Sequence, residues 1–177
     1  MVAYSFQKRF VAPIETGQKR QTIRASRKRH ARVGEPIQIY TGMRTKGCRK
    51  LIEPDPVCIR STRLQMLFAD DADRHGPERI RFQNESASGW CELIGAEPIE
   101  QFAFADGFRA DDERTARAAM GAFWLATYGQ DLPPDMVLRF DGHLIQWATV
   151  EEAAKREALG PSTGWVPPEI EAIGVGR

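Results

Sequence analysis

One long helical stripe, set between two groups of strand-like runs, limits the architectures open to this chain. Ala116, Ala119, Met120, Phe123, Trp124 and Tyr128 recur at helical spacing within Asp111–Tyr128, and apolar residues at that period mark one buried helix face. Before it lie runs with the composition of strands: Val2–Phe6, Gln21–Arg24, Pro36–Tyr40 and Val57–Phe68. After it come Met136–Phe140 and Leu144–Trp147, separated by Asp141-Gly142-His143, a D-G signal for a tight hairpin turn. Strands grouped around one long helix are not the βαβα alternation of a doubly wound fold. They predict an α+β domain built on a small, mostly antiparallel β-barrel with flanking helices.

Shorter signals fill in the rest. Lys8–Glu15 carries Phe10, Val11 and Ile14 on one helical face, is shortened by Pro13 and is ended by Gly17. Val57–Phe68 reads as one strand with a bend or bulge. Residues 70–92 read as a surface insertion: the acidic loop Asp70, Asp71 and Asp73, then a hairpin of Arg79–Gln83 with Trp90–Ile94. Ile99–Ala105 suits a short buried helix, and Asp111, Asp112 and Glu113 sit where a helix N-terminus favours acids. Thr149 and Glu152 form a capping box for a helix to Leu159, and residues 160–177 read as an irregular tail. One domain over residues 1–148 is therefore expected, with a helix and tail over 149–177.

Charge is distributed unevenly. Residues 1–50 hold thirteen Lys/Arg against Glu15 and Glu35 alone, while residues 51–177 hold twelve against 22 acids. The net charge of +1 hides this division, but a partner responds to the local field. Arg27, Lys28, Arg29 and Arg32 cluster without interleaved acids, and Arg44, Lys46, Arg49 and Lys50 follow in a second glycine-containing loop. A phosphate-rich partner accounts for such clustering better than internal pairing does. No apolar run approaches the roughly 20 residues of a membrane span, and the N-terminus lacks the pattern of a secretory signal. Cys48, Cys58 and Cys91 are odd in number and form no C-x-x-C pair, and His30, His75 and His143 are scattered. A cytoplasmic chain with no metal site and no cofactor is the expectation.

The run Phe6-Gln7-Lys8-Arg9-Phe10, followed by Ile14-x-x-Gly17-x-Lys19-x-x-Thr22-Ile23-Arg24, resembles the opening of the ASCH domain family. Gly34-Glu35-x-Ile37-x-Ile39-Tyr40 resembles its second landmark, Ala105-Asp106-Gly107-Phe108 a third, and Leu138-x-Phe140 with Leu144-Ile145-x-Trp147 its closing strands. The likeness covers about residues 2–148 and implies a PUA-like β-barrel, a fold tied to RNA binding, with a cleft between barrel and helices. Some members are amidohydrolases that remove the acetyl group of N4-acetylcytidine with a Lys, a Thr and an acid, and others are similar to ribonucleases. Lys19 and Thr22 match the first two at the same spacing. The third would be Asp106, where the amidohydrolases have Glu.

These residue types suit amide hydrolysis. A Thr hydroxyl needs a base to take its proton, and a buried lysine lowered toward neutrality can serve as that base. Arg20 and Arg24 would lower Lys19 further, and Asp106 would raise and orient it. Arg24 or a backbone N–H could stabilise an oxyanion. The plainer roles are a strand residue for Thr22, a phosphate contact for Lys19, a turn residue for Asp106, and a salt bridge to Asp106 or Glu100 for Arg24. Tyr40 is either a stacking platform for a base or partly core. Three functions remain open at this stage: binding of RNA or another nucleic acid, hydrolysis of a modified nucleoside or of RNA, and docking on an acidic protein.

Overall fold

The computed structural model describes residues 1–68, 75–83, 89–128 and 138–159. The acids at 70, 71 and 73, the loop at 86–88, the helix stop at Gly129, Met136 and the tail from 160 lie outside the described residues. The architecture is α+β, with two sheets and four helices among the described residues.

The smaller sheet holds β1 (Val2–Phe6), β3 (Ile37–Thr41) and β4 (Arg49–Lys50) in the order β1-β3-β4. Its β1–β3 pair is parallel, with Tyr4 opposite Ile39. The larger sheet is antiparallel throughout, in the order β2 (Gln21–Ala25), β8 (Leu138–Ala148), β5 (Val57–Phe68), β6 (Arg79–Gln83) and β7 (Trp90–Ile94). The two sheets do not close into the expected barrel. A single bridge, Pro36–Val57, joins them among the described residues. Beside it Gly34 N–H donates to the Cys58 carbonyl and Cys58 N–H to that of Glu35.

The predicted tight turn at Asp141-Gly142-His143 is absent. β8 runs through it as one eleven-residue strand. Gly142 serves a close approach instead: a Cβ there would lie 2.6 Å from the Arg24 carbonyl oxygen and 2.5 Å from Phe140 Cε1. β5 is the expected long strand, and its irregularity falls between Cys58 and Arg60. The hairpin of β6 and β7 is present, but Ile80 and Phe82 are fully buried, so β6 is part of the core. Trp90 and Ile94 on β7 face solvent.

A 3-10 turn (Lys8–Phe10) leads into α1 (Val11–Glu15), where Pro13 falls among the first residues, whose N–H groups have no helical acceptor. α2 spans Ala96–Ala105 and buries Ile99, Phe102 and Ala103. α3 begins at Ala116, not at Asp111. Asp111 folds its carboxylate onto the N–H groups of Glu113 and Arg114 and so closes a turn ahead of the helix. The first N–H groups of α3 are capped from α2: Glu100 accepts from Ala116 and Arg117, both at 2.8 Å. α4 (Val150–Leu159) starts on the expected box, with Thr149 and Glu152 exchanging hydrogen bonds at 2.9 and 3.2 Å.

The core lies between the larger sheet and helices α2 and α3, where Leu64, Met66, Ile80, Phe82, Ile99, Phe102, Met120 and Leu144 are buried. The opposite face of β2 and β8 is covered by β1, with Phe6 edge-on to Trp147 at 5.9 Å. Glu100→Ala leaves two helix-terminal donors unpaired and is predicted to cost about 1–2 kcal/mol. Urea unfolding, with an unchanged m-value, measures it.

Candidate functional site

Between α1 and β2 the chain reverses sharply. Gly17 takes φ +73°, open to glycine at little cost, and Lys19 N–H returns to the Pro13 carbonyl at 2.8 Å. That reversal turns Lys19 inward, where it is 1% exposed. Its ammonium meets Asp106, which ends α2 and is itself 5% exposed. Lys19 Nζ donates to Asp106 Oδ1 at 3.0 Å and also to the Asp106 carbonyl oxygen. The carbonyl end of a helix favours a cation, so α2 and its terminal carboxylate act on Lys19 together. The ammonium also lies 4.7 Å from the centre of the Phe10 ring and 5.7 Å from that of Phe6.

Gly107 makes this approach possible. Its φ is +91°, and a Cβ would sit 2.6 Å from Lys19 Cδ and 3.1 Å from Phe10 Cδ1.

Burial lowers Lys19 to about 8, with Asp106 opposing that shift and Arg24 and Arg109 adding to it. Burial pushes Asp106 up, and Lys19 and Arg24 pull it down. The geometry is that of an ion pair, with one Asp106 carboxylate oxygen and the Asp106 backbone carbonyl both accepting from Lys19. Burial has loosened its hold on the Lys19 proton.

Thr22 and Arg24 share one face of β2, because side chains two apart on a strand point the same way. Thr22 is buried opposite Ile145 and makes no hydrogen bond to Lys19 or Asp106 among the described residues. Arg24 lies over the Phe6 ring at 4.6 Å and donates from Nη2 to the Ser5 carbonyl at 2.8 Å. It does not form the expected salt bridge to Asp106 or Glu100. The first carboxylate is taken by Lys19 and the second caps α3.

Several basic residues are tied internally. Arg20 turns away from Lys19 and bonds Glu152 and the Gly17 carbonyl, so the second cation acting on Lys19 is Arg109 and not Arg20. Arg29 pairs with Glu35 at 2.7 Å, Arg49 with Glu15, and Lys50 with Glu53 and Asp55. Arg27 lies over the Tyr4 ring at 4.6 Å. Lys28, Arg32, Arg44 and Lys46 are exposed and make no ion pair among the described residues. Tyr40 is half-buried on β3 opposite Ser5 and Lys50.

Arg109 was not legible as a site residue. It covers Phe104 at 3.9 Å and binds Gln18 Oε1 at 3.0 Å. Its place two residues after Gly107 is the one signal in the sequence. His30 and His143, stacked at 4.4 Å, were likewise missed, since 113 positions separate them in the chain. No group of three or more potential metal ligands occurs among the described residues, and no described helix is long and apolar enough to cross a membrane. No family model, no curated protein and no solved structure matches this chain.

Removing Asp106 strands a buried ammonium. Asp106→Ala is predicted to destabilise by about 3–5 kcal/mol, and Lys19→Met/Asp106→Leu to recover most of that loss. Denaturant unfolding of the single and double variants tests this. A double variant as unstable as Asp106→Ala would show that the ion pair is not the cause.

Proposed function

We propose that this chain is an RNA-binding domain of the PUA-like, ASCH kind whose Lys19–Thr22–Asp106 centre hydrolyses an acyl amide on a cytosine-type base. The observation that carries the reading is the contact of Lys19 with Asp106, 87 positions apart in sequence and buried together. These are the two charged members of the triad that the family resemblance assigns. A buried ion pair of this kind adds little to stability over an apolar pair, so its presence fits a chemical role.

In this mechanism neutral Lys19 takes the proton of Thr22 Oγ1 as that oxygen bonds to the acyl carbon. The carbonyl π pair moves onto oxygen, and the negative charge faces the Arg24 guanidinium. The tetrahedral species collapses, the C–N bond breaks, and the Lys19 ammonium returns the proton to the departing amine. Water then cleaves the acyl-threonine by the same steps in reverse order, releasing the carboxylic acid. Asp106 orients Lys19 throughout and keeps its ammonium form within reach of neutral pH.

Lys28, Arg32, Arg44 and Lys46, exposed and without an ion pair among the described residues, support the RNA-binding half of the proposal, with Arg27 close by in the chain. They suit sequence-independent phosphate contacts, which salt weakens. The free thiols of Cys48, Cys58 and Cys91 fit the reducing cytoplasm.

Mass spectrometry of N4-acetylcytidine and of cellular RNA incubated with the protein tests the chemistry. Acetate release is expected, falling by about a hundredfold or more in Thr22→Ala. Because the base is the unprotonated amine of Lys19, turnover should rise with pH through about 8 and level off above it. Full turnover in Thr22→Ala, or a rate that falls as pH rises through 8, would refute the mechanism.

A further inference from the structure

A second cluster lies on the Thr22 face of the larger sheet. Arg24 on β2, His143 on β8 and Arg63 on β5 are directly opposite one another, so their side chains stand in one row across three strands. The His30 ring, carried by the loop after β2, stacks on His143 at 4.4 Å with 22° between planes. Tyr4 lies parallel to His30 on its other neighbour side, 6.4 Å away, and Arg27 covers Tyr4.

Several of their polar atoms have no hydrogen-bond partner among the described residues. His30 is nine-tenths buried, and neither of its ring nitrogens makes a hydrogen bond of good geometry, although the Ala25 backbone is close enough to favour its charged form. His143 Nδ1 and Arg24 Nε are buried and equally unsatisfied. Proteins rarely leave so many buried polar atoms unpaired in one place. No carboxylate is ion-paired to this cluster among the described residues, although the charge of Asp106 acts on Arg24. Asp141, two residues from His143 on the same strand face, is held by Arg139 and Gln65, and Asp106 is held by Lys19. Arg63 is exposed and makes no ion pair among the described residues.

We propose that Arg24, His30, His143 and Arg63 form an oxyanion site that holds the phosphate of the nucleotide whose base reaches Lys19. Guanidinium and imidazole N–H groups are the donors that bind phosphate oxygens best. The position also fits. Thr22 is opposite Ile145, so His143 is its diagonal neighbour, about 7–8 Å away across the sheet. That step has the scale of the span from a base edge to the phosphate of the same nucleotide. This inference names the substrate class of the proposed reaction and rests on the base entering at Lys19.

Proton linkage gives the site a signature. Burial and the neighbouring cations, His143 and Arg27 among them, hold His30 down at about 4, and burial with Arg63 lowers His143. The groups facing the pair are Tyr4, Arg24, Arg27, Arg63 and, farther along β8, Asp141. A bound anion reverses the sign of that field and raises both histidines, so binding takes up protons. Affinity then rises as pH falls through the range in which the bound imidazoles take up protons.

Calorimetric titration with cytidine and with cytidine 5′-monophosphate tests the site in the wild type, Arg63→Ala and His143→Asn. The phosphate should tighten wild-type binding by about tenfold or more, and each variant should lose most of that gain. Arg63 is exposed, so its variant keeps the fold. An oligocytidylate without a terminal phosphate that gains the same factor identifies a strand phosphodiester as the source, and one that gains nothing identifies the monoester. A nucleotide no tighter than cytidine, or an advantage that survives both variants, overturns the site. Acetate release from N4-acetylcytidine is read separately. Turnover without a phosphate advantage leaves the proposed hydrolysis standing, and a phosphate advantage without turnover leaves only the anion site.

Discussion

A lysine ammonium buried at the end of a helix is the constraint from which the rest of this structure follows. Lys19 can be taken out of water because Asp106 and its carbonyl receive it, and a buried charge without such partners would not persist. Holding the two together requires the Gly17 reversal at one end and Gly107 at the other, where any side chain would meet Lys19 or Phe10. It also requires α2 to end against the start of β2. Gln21, the first residue of that strand, donates to the Phe102 carbonyl near the same helix end. The pair therefore sets where α2 ends relative to β2, and so where Thr22 and Arg24 stand.

The larger sheet separates two kinds of chemistry. One face is packed by α2 and α3 and is largely apolar; on it Gln21 and Gln146 bond each other at 3.0 Å and Thr62 donates to the Gln83 carbonyl. The other face carries Thr22, Arg24, His143 and Arg63 beneath β1 and the loop that follows β2. Strand alternation makes this division automatic: a one-residue slip of β2 against β8 would bury Arg24 in the core and expose Ile23. Gly142 guards that register by letting the Arg24 backbone come close to β8. The fold thus places a hydroxyl and a row of cations on one face of the larger sheet.

Much of this was legible in the sequence, and what was not has identifiable causes. Strands β1, β2, β3 and β5, the β6–β7 hairpin and the capping box of α4 follow from alternation and local capping, which act over a few residues. The turn at Asp141-Gly142 was misread because the same dipeptide serves a hairpin and a close backbone approach, and only the partner strand decides which. The start of α3 was misplaced because its cap comes from Glu100, sixteen residues upstream, and a local pattern cannot show it. The two sheets do not close into a barrel, and the parallel pairing of β1 with β3 is a long-range choice invisible to periodicity. Lys19, Thr22, Arg24 and Asp106 were singled out from the motifs, and the fold brings Lys19 and Asp106 together. Arg109 and the stacked His30 and His143 depend on tertiary contact alone, as does the diversion of Arg20 and Arg29 into ion pairs.

The central claim is that Lys19 is a buried amine whose basicity has been brought toward neutrality. Titration of its Nζ by nitrogen-15 NMR, assigned against Lys19→Met, measures that directly. The account predicts a midpoint of about 8, well below the value near 10.4 of a solvated lysine, moving lower still in Asp106→Asn as the opposing carboxylate charge is lost. A midpoint at the solvated value, unmoved by Asp106→Asn, would contradict it and leave Lys19 a charged packing residue with no role as a base.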